Sequence, residues 1–140
     1  MIAYFDTSAV VPLVVSEPAS LRAASLWDGA DRIAAVRLVY AEARAALAQA
    51  ERLDRLTVRQ LRGAVAALNA LYGQIDLVDV DDELVRSAGD LAEVHGLRGY
   101  DAVHLAAAVR LRDPDLVMVA GDTALLDAAA TEGMAVAQVP

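Results

Sequence analysis

The chain has 140 residues, 57% hydrophobic and 23% charged, enough for one compact domain spanning residues 1–140 that buries most of its unfolded surface. All 12 basic residues are Arg and they face 20 acidic ones, a net charge of −8 that argues against a uniformly basic DNA-binding surface while allowing a local basic edge. With 0 Cys there is no disulfide framework, thiolate metal site or cysteine nucleophile, which points to a reducing compartment and leaves catalysis to oxygen ligands or His.

In chain order, Met1 to Asp6 has no basic leader and meets an acid before a signal core could form, so the protein is expected in the cytoplasm. Its apolar run Ile2–Phe5 is the first strand candidate, followed by Ile33–Val36. A helix is expected from about Leu38 to Leu53. Thr57-Val58-Arg59-Gln60 has capping-box spacing and opens a second helix with Leu61, Ala64, Val65, Leu68, Leu71 and Tyr72 on one face, so the two form a hairpin. The longest charge-free stretch ends here at Ile75 and falls short of the roughly 20 apolar residues of a membrane span. Strand Leu77–Val80 comes next. Asp81-Asp82-Glu83 then suits the first turn of a helix carrying Leu84, Ala88, Leu91 and His95, and these acids read as caps. The helix Ala102–Val109, opened by Asp101, is apolar all round and expected to be buried. Strands Leu116–Ala120 and Ala135–Val139 complete an alternation that predicts an α/β domain with a mainly parallel central sheet.

Four carboxylates break this apolar pattern, and an unpaired buried carboxylate costs several kcal/mol by rough measure. Asp6 closes the first strand and Asp122 follows Leu116 to Gly121, so both stand at carboxyl ends of strands, where open α/β sheets gather ligands. Asp101 shares a stripe with Leu105 and Ala108. Glu42 lies one helical turn from Leu38 and Ala46. Each acid also has a plainer reading: Asp6 and Asp122 as helix caps, Asp101 as a complement to its helix dipole, Glu42 as a solvated helix residue. His104 reads as a packed core residue, and Thr7 and Ser8 as backbone-bonding hydroxyls with a lesser prospect of touching a metal or its water. Brought together, four carboxylates repel unless cations neutralise them, and Mg²⁺ or Mn²⁺ is the natural solution. A pair of such ions activates water against a phosphodiester.

These motifs resemble, over nearly the whole chain, the PIN-domain ribonucleases and specifically the VapC-type toxins of bacterial toxin–antitoxin pairs. The resemblance is carried by Tyr4-Phe5-Asp6-Thr7-Ser8-Ala9-Val10-Val11 with Glu17-Pro18, by Tyr40-Ala41-Glu42, by Asp101-Ala102-Val103-His104-Leu105-Ala106-Ala107-Ala108, and by Gly121-Asp122-Thr123. It implies a three-layer α/β/α fold and a metal-dependent endoribonuclease in which Asp6, Glu42, Asp101 and Asp122 hold Mg²⁺ or Mn²⁺, with Ser8 and Thr123 in support. It also implies a homodimer, an RNA substrate and a small cognate VapB-type antitoxin. Two positions depart from many relatives: Pro12 stands where they have Lys, and Ala120 where they have a hydroxyl residue.

Between Arg37 and Arg62 lie six Arg and three acids, net +3 against −11 elsewhere. These arginines are expected either to rim the acidic pocket and hold RNA phosphates or to form a solvated surface with pairs such as Glu51 and Arg55. Two other functions compete with a toxin nuclease: a PIN nuclease in RNA maturation or structured-DNA cleavage, and a non-catalytic binding module whose acids are all caps. A phosphoacceptor receiver domain is strongly disfavoured, since it depends on a Lys near the acyl phosphate and the chain has none.

Overall fold

The computed structural model describes residues 1–140, arranged as five strands and seven helices in the order β1 (Ile2–Phe5), α1 (Thr7–Val14), α2 (Ser20–Gly29), β2 (Arg32–Val36), α3 (Val39–Arg52), α4 (Val58–Tyr72), β3 (Asp76–Val78), α5 (Asp82–His95), α6 (Gly99–Leu111), β4 (Leu116–Ala120), α7 (Thr123–Thr131) and β5 (Ala135–Gln138). All strand pairs are parallel and the sheet order is β3-β2-β1-β4-β5. The first strand therefore sits at the centre, and the chain winds outward through β2 and β3 before crossing to β4 and β5. The crossing creates a topological switch beside β1, where ligands collect in sheets of this kind.

Period-two alternation divides the strand side chains between two cores. Ala3, Phe5, Ile33, Ala35 and Val119 face one cluster with Val10, Ala43, Leu47, Ala64, Val65 and Leu68, residues of α1, α3 and α4. Tyr4, Ala34, Val36, Met118 and Ala120 face the other, with Leu84, Ala88, Leu105, Leu125 and Ala129 of α5, α6 and α7. Helices thus cover both faces of the sheet in a three-layer α/β/α arrangement, which buries its strands on both sides. No helix is long and apolar enough to cross a membrane.

Local chemistry accounts for the element ends. Thr57 and Gln60 form the expected reciprocal cap of α4, with Gln60 N–H on Thr57 Oγ1 at 3.1 Å and Thr57 N–H on Gln60 Oε1 at 2.8 Å. Asp81 caps α5 through the Leu84 N–H at 2.8 Å and also receives both terminal nitrogens of Arg110, at 3.0 and 2.8 Å. Those bonds hold its carboxyl down at about 2. The third strand is shorter than the run Leu77–Val80 predicts, and it starts a residue earlier. It ends at Val78 because Asp79 turns to Arg37, Nε to Oδ1 2.6 Å, and Val80 leads into the Asp81 cap. Likewise α6 begins at Gly99, with Arg98 preceding it, so Asp101 sits inside the first turn rather than at the start.

Candidate active site

The end of β1 is the anchor. Asp6 N–H donates to the Val119 carbonyl of β4 at 3.0 Å, which fixes the residue where the two central strands finish. Its carboxylate caps α1 through the Ser8 N–H at 3.3 Å and accepts the Ser8 hydroxyl at 2.6 Å, both on Oδ2. Ser8 Oγ in turn accepts the Gly121 N–H at 2.8 Å. One hydroxyl therefore ties the end of β1 to the turn that presents Asp122. A Cβ at Gly121 would stand at ordinary contact distance, 3.5 Å from Ser8 Oγ and 3.4 Å from the Val139 carbonyl, so the turn packs closely against Ser8. Asp122 caps α7 with Oδ1 on the Ala124 N–H at 2.9 Å, and its Oδ2 is 4.0 Å from Arg98 Nη2. Asp6 and Asp122 are helix caps and members of the acidic group at once, because a cap engages only part of a carboxylate.

The other two acids arrive from helices. Glu42 is in the first turn of α3, where Oε1 accepts the Thr7 hydroxyl at 3.1 Å and a hydrogen bond from His104 Nε2 at 2.7 Å. Asp101 projects from the first turn of α6, and the guanidinium of Arg98 one turn earlier lies 3.5 Å from its Oδ2. Burial pushes the Asp101 carboxyl above the usual carboxylate range, and the negative charges of Asp122 and Asp6 push it further, against the pull of Arg98 and His104. Three acids predicted from separate motifs thus lie near enough to feel one another in the fold.

His104 is the centre of the arrangement. It is 1% exposed, and Nε2 sits 2.7 Å from Glu42 Oε1 and 3.2 Å from Asp6 Oδ1. Since both neighbours are acceptors, Nε2 carries a proton. Nδ1 lies 3.0 Å from the hydroxyl of Tyr4, which also accepts the Val36 N–H at 3.1 Å. Burial lowers the imidazole pKa, but the Glu42 hydrogen bond and the charges of Asp6, Glu42 and Asp101 outweigh it and hold it above the ordinary value.

As they stand, no three His, Asp or Glu side chains close into a ready coordination set; Arg98 supplies the nearby positive charge. The donors nevertheless suit Mg²⁺ or Mn²⁺, being carboxylate oxygens without sulfur. Beside them an open groove of ≈ 660 Å³ runs between α5 and α6, lined by Glu42, Asp101, Arg98, Tyr100 and apolar residues.

A family model described as PIN domain matches residues 3–130. The chain belongs to the PIN domain family. It is 42% identical over 134 residues to Ribonuclease VapC45 of Mycobacterium tuberculosis strain CDC 1551, covering 96% of this chain and 93% of the relative. Ribonuclease VapC46 of strain H37Rv is 36% identical over 133 residues, covering 95% and 94%. Among solved structures, PAE2754 from Pyrobaculum aerophilum superposes with a TM-score of 0.72 at 21% identity, covering 97% of this chain and 83% of that one. VapBC2 from Rickettsia felis, bound to a DNA fragment from its promoter, gives 0.67 at 14% identity and 100% coverage of both. These two likenesses bear on the fold.

Within the PIN fold, Asp6, Asp101 and Asp122 share one electrostatic neighbourhood, and Glu42 joins Asp6 through His104. Ser8 touches Asp6 directly, whereas Thr123 is exposed at the start of α7, outside these hydrogen bonds. Pro12 is buried inside α1 and brings no charge to the site, and Ala120 is fully buried in the second core. His104 is a packed residue, as the sequence indicates, but its contacts with two acids were missed. The signal available was its place one turn after Asp101, on a helix otherwise apolar. Arg98, also missed, stands three residues before Asp101, a spacing that faces the two charges on a helix. The pair Glu51 and Arg55 does not form a salt bridge, while Arg37 pairs with Asp79 and Arg44 lies over the Tyr40 ring at 5.7 Å.

Proposed function

We propose that this chain is an endoribonuclease that hydrolyses RNA phosphodiester bonds and serves as the toxin of a toxin–antitoxin pair. The observation that carries the reading is the convergence of Asp6, Asp101 and Asp122 at the carboxyl ends of β1 and β4, felt as the raised pKa of Asp101. Its relatives at 42% and 36% identity are named as ribonucleases, which supplies the substrate class.

In this reading Asp6, Glu42, Asp101 and Asp122 hold Mg²⁺ or Mn²⁺. When bound, the ion supplies Lewis acidity toward water and a phosphate oxygen. The chain's own residues provide the frame. Ser8 and His104 hold the Asp6 carboxylate from two sides, and Thr7 and His104 hold that of Glu42. Arg98, with a side chain 86% exposed between Asp101 and Asp122, meets an RNA phosphate at the mouth of the site. Reaction is by direct in-line attack of water, because no cysteine is present and the hydroxyl of Ser8 is committed to Asp6 and Gly121. The partners are RNA, a small VapB-type antitoxin and a second copy of the chain, all within the cytoplasm.

The test is cleavage of a total RNA pool by the purified chain, stripped of co-purified inhibitor, with and without Mg²⁺ or Mn²⁺. Fragments that require the metal and vanish in Asp101→Asn and Asp6→Asn are expected. Full activity in either folded variant refutes the four-acid site.

A further inference from the structure

Glu42 and Asp6 come from different elements, and nothing in the backbone joins them. Glu42 rides on α3, and Asp6 ends β1, yet one hydrogen on His104 Nε2 faces both, at 2.7 Å from Glu42 Oε1 and 3.2 Å from Asp6 Oδ1. The ring cannot turn away from them easily. Its other nitrogen is 3.0 Å from the Tyr4 hydroxyl, and that hydroxyl is pinned by the Val36 N–H at 3.1 Å. His104 is 1% exposed, while Tyr4 and Val36 are 0% exposed, so water does not compete for these bonds. On the Glu42 side, both hydrogen bonds, from Thr7 and from His104, fall on Oε1. Oε2 is left without a protein partner.

For Glu42 this is the arrangement by which an outer group orients a ligand, one carboxylate oxygen held from behind and the other presented, while Asp6 is held on both oxygens, Oδ2 by Ser8 and Oδ1 by His104. We propose that His104 is a positioning residue that, through its buried Nε2–H, fixes the carboxylates of Glu42 and Asp6 in one orientation toward a divalent cation. Tyr4 and Val36 extend the device to the sheet: the N–H at the end of β2 fixes the hydroxyl from β1, which fixes the ring from α6, which fixes the acid from α3. The inference rests on the metal-dependent reading of the acidic site.

The experiment measures Mn²⁺ binding to the isolated full chain by calorimetry and by the metal-induced shift in melting temperature, so no RNA cleavage is needed. His104→Leu keeps similar bulk and removes the donor; His104→Gln places an amide N–H near the position of Nε2. Removing an outer group of this kind costs about 10- to 100-fold in metal affinity, so His104→Leu is expected to bind Mn²⁺ at least tenfold more weakly and His104→Gln to recover most of that affinity. A packing role alone makes Gln, the polar variant, the worse of the two. Combined with Glu42→Gln, the effect of His104→Leu is expected to be less than multiplicative, because both changes act on one carboxylate. Should His104→Leu fail to melt cooperatively, Tyr4→Phe replaces it, with several-fold weaker binding expected. Wild-type affinity in the folded Leu variant, or in Tyr4→Phe where that stands in, overturns the positioning role and leaves the nuclease reading intact. Absence of any Mn²⁺ or Mg²⁺ binding to the wild-type chain overturns both.

Discussion

Tyr4→Phe removes a single oxygen from the second core and leaves ring volume in place, so no cavity accompanies the change. The oxygen serves two buried partners, the Val36 N–H at 3.1 Å and His104 Nδ1 at 3.0 Å. Every buried side-chain polar atom in the molecule has a partner. Each buried group orphaned costs about 1–3 kcal/mol, so the pair sums to about 2–6 kcal/mol, brought to about 2–5 kcal/mol by a shift of the ring. With an unfolding entropy of ~2.1 cal/mol/K per residue, a chain of this length loses about 3.4 °C of Tm per kcal/mol. The expected drop is about 7–17 °C, read by calorimetry or circular dichroism at pH 7 with chelator present, so that metal binding does not enter. Tyr40→Phe is the control: that hydroxyl donates to Asn69 Oδ1 at 2.7 Å and accepts from Arg44 Nη1 at 2.9 Å at a partly exposed position, where water replaces lost partners and the cost stays at ~1 kcal/mol. A fall of less than ~2 °C for Tyr4→Phe, or equal falls in the two variants, refutes the claim that the relay is buried and mutually dependent.

Other expectations concern charge and caps. Because the folded pKa of Asp101 is raised, the fold loses stability as pH rises through the window from its unfolded value near 3.8 up to that raised value; Asp101→Asn therefore melts higher than wild type at pH 7 with chelator, and the metal-induced rise in Tm disappears. Asp81 has the opposite sign: its folded value of about 2 lies below the ordinary 3.8, so its contribution is complete above about pH 4 and fades as pH falls toward 2, and an acid titration of Asp81→Asn lacks that component. Thr57→Ala breaks the side-chain half of the reciprocal α4 cap and costs about 0.5–2 kcal/mol in urea unfolding. Arg55→Ala with Arg59→Ala, exposed in the α3–α4 connection and in the first turn of α4, is expected to weaken RNA capture and flatten its salt dependence by about one unit of slope for each phosphate no longer neutralised; an unchanged slope assigns those arginines to a solvated surface.

The architecture was readable wherever one physical rule dominated. Strands Ile2–Phe5 and Leu116–Ala120 coincide with their apolar runs because burial on both faces requires unbroken hydrophobicity. The capping box of α4 and the Asp81 cap are local in sequence and appear as expected. Four boundaries on three strands moved by one or two residues, and at the end of β3 a side chain competes with the ladder, Asp79 turning to Arg37. For the site, the acids were visible because carboxylates are conspicuous in an apolar run. Their supports were not, since His104 meets Tyr4 across a separation of 100 residues and Glu42 across 62. A lone His in a buried helix gives no sign of which acids it faces until the helix is docked on the sheet.

The order β3-β2-β1-β4-β5 has a consequence for biosynthesis. β1 pairs with β4 from Ile2↔Leu116 onward, and Asp6 hangs its backbone N–H on Val119. During translation the ribosome emits Asp6 and Glu42 early, but the strand that completes their platform, and Asp122 after it, come last. A nascent chain therefore has no assembled acidic cluster while it is being made, and pairings this distant in sequence form slowly. On the proposed reading of the acidic cluster, the site is assembled only when nearly the whole polypeptide is available, so incomplete products are expected to be inactive toward RNA.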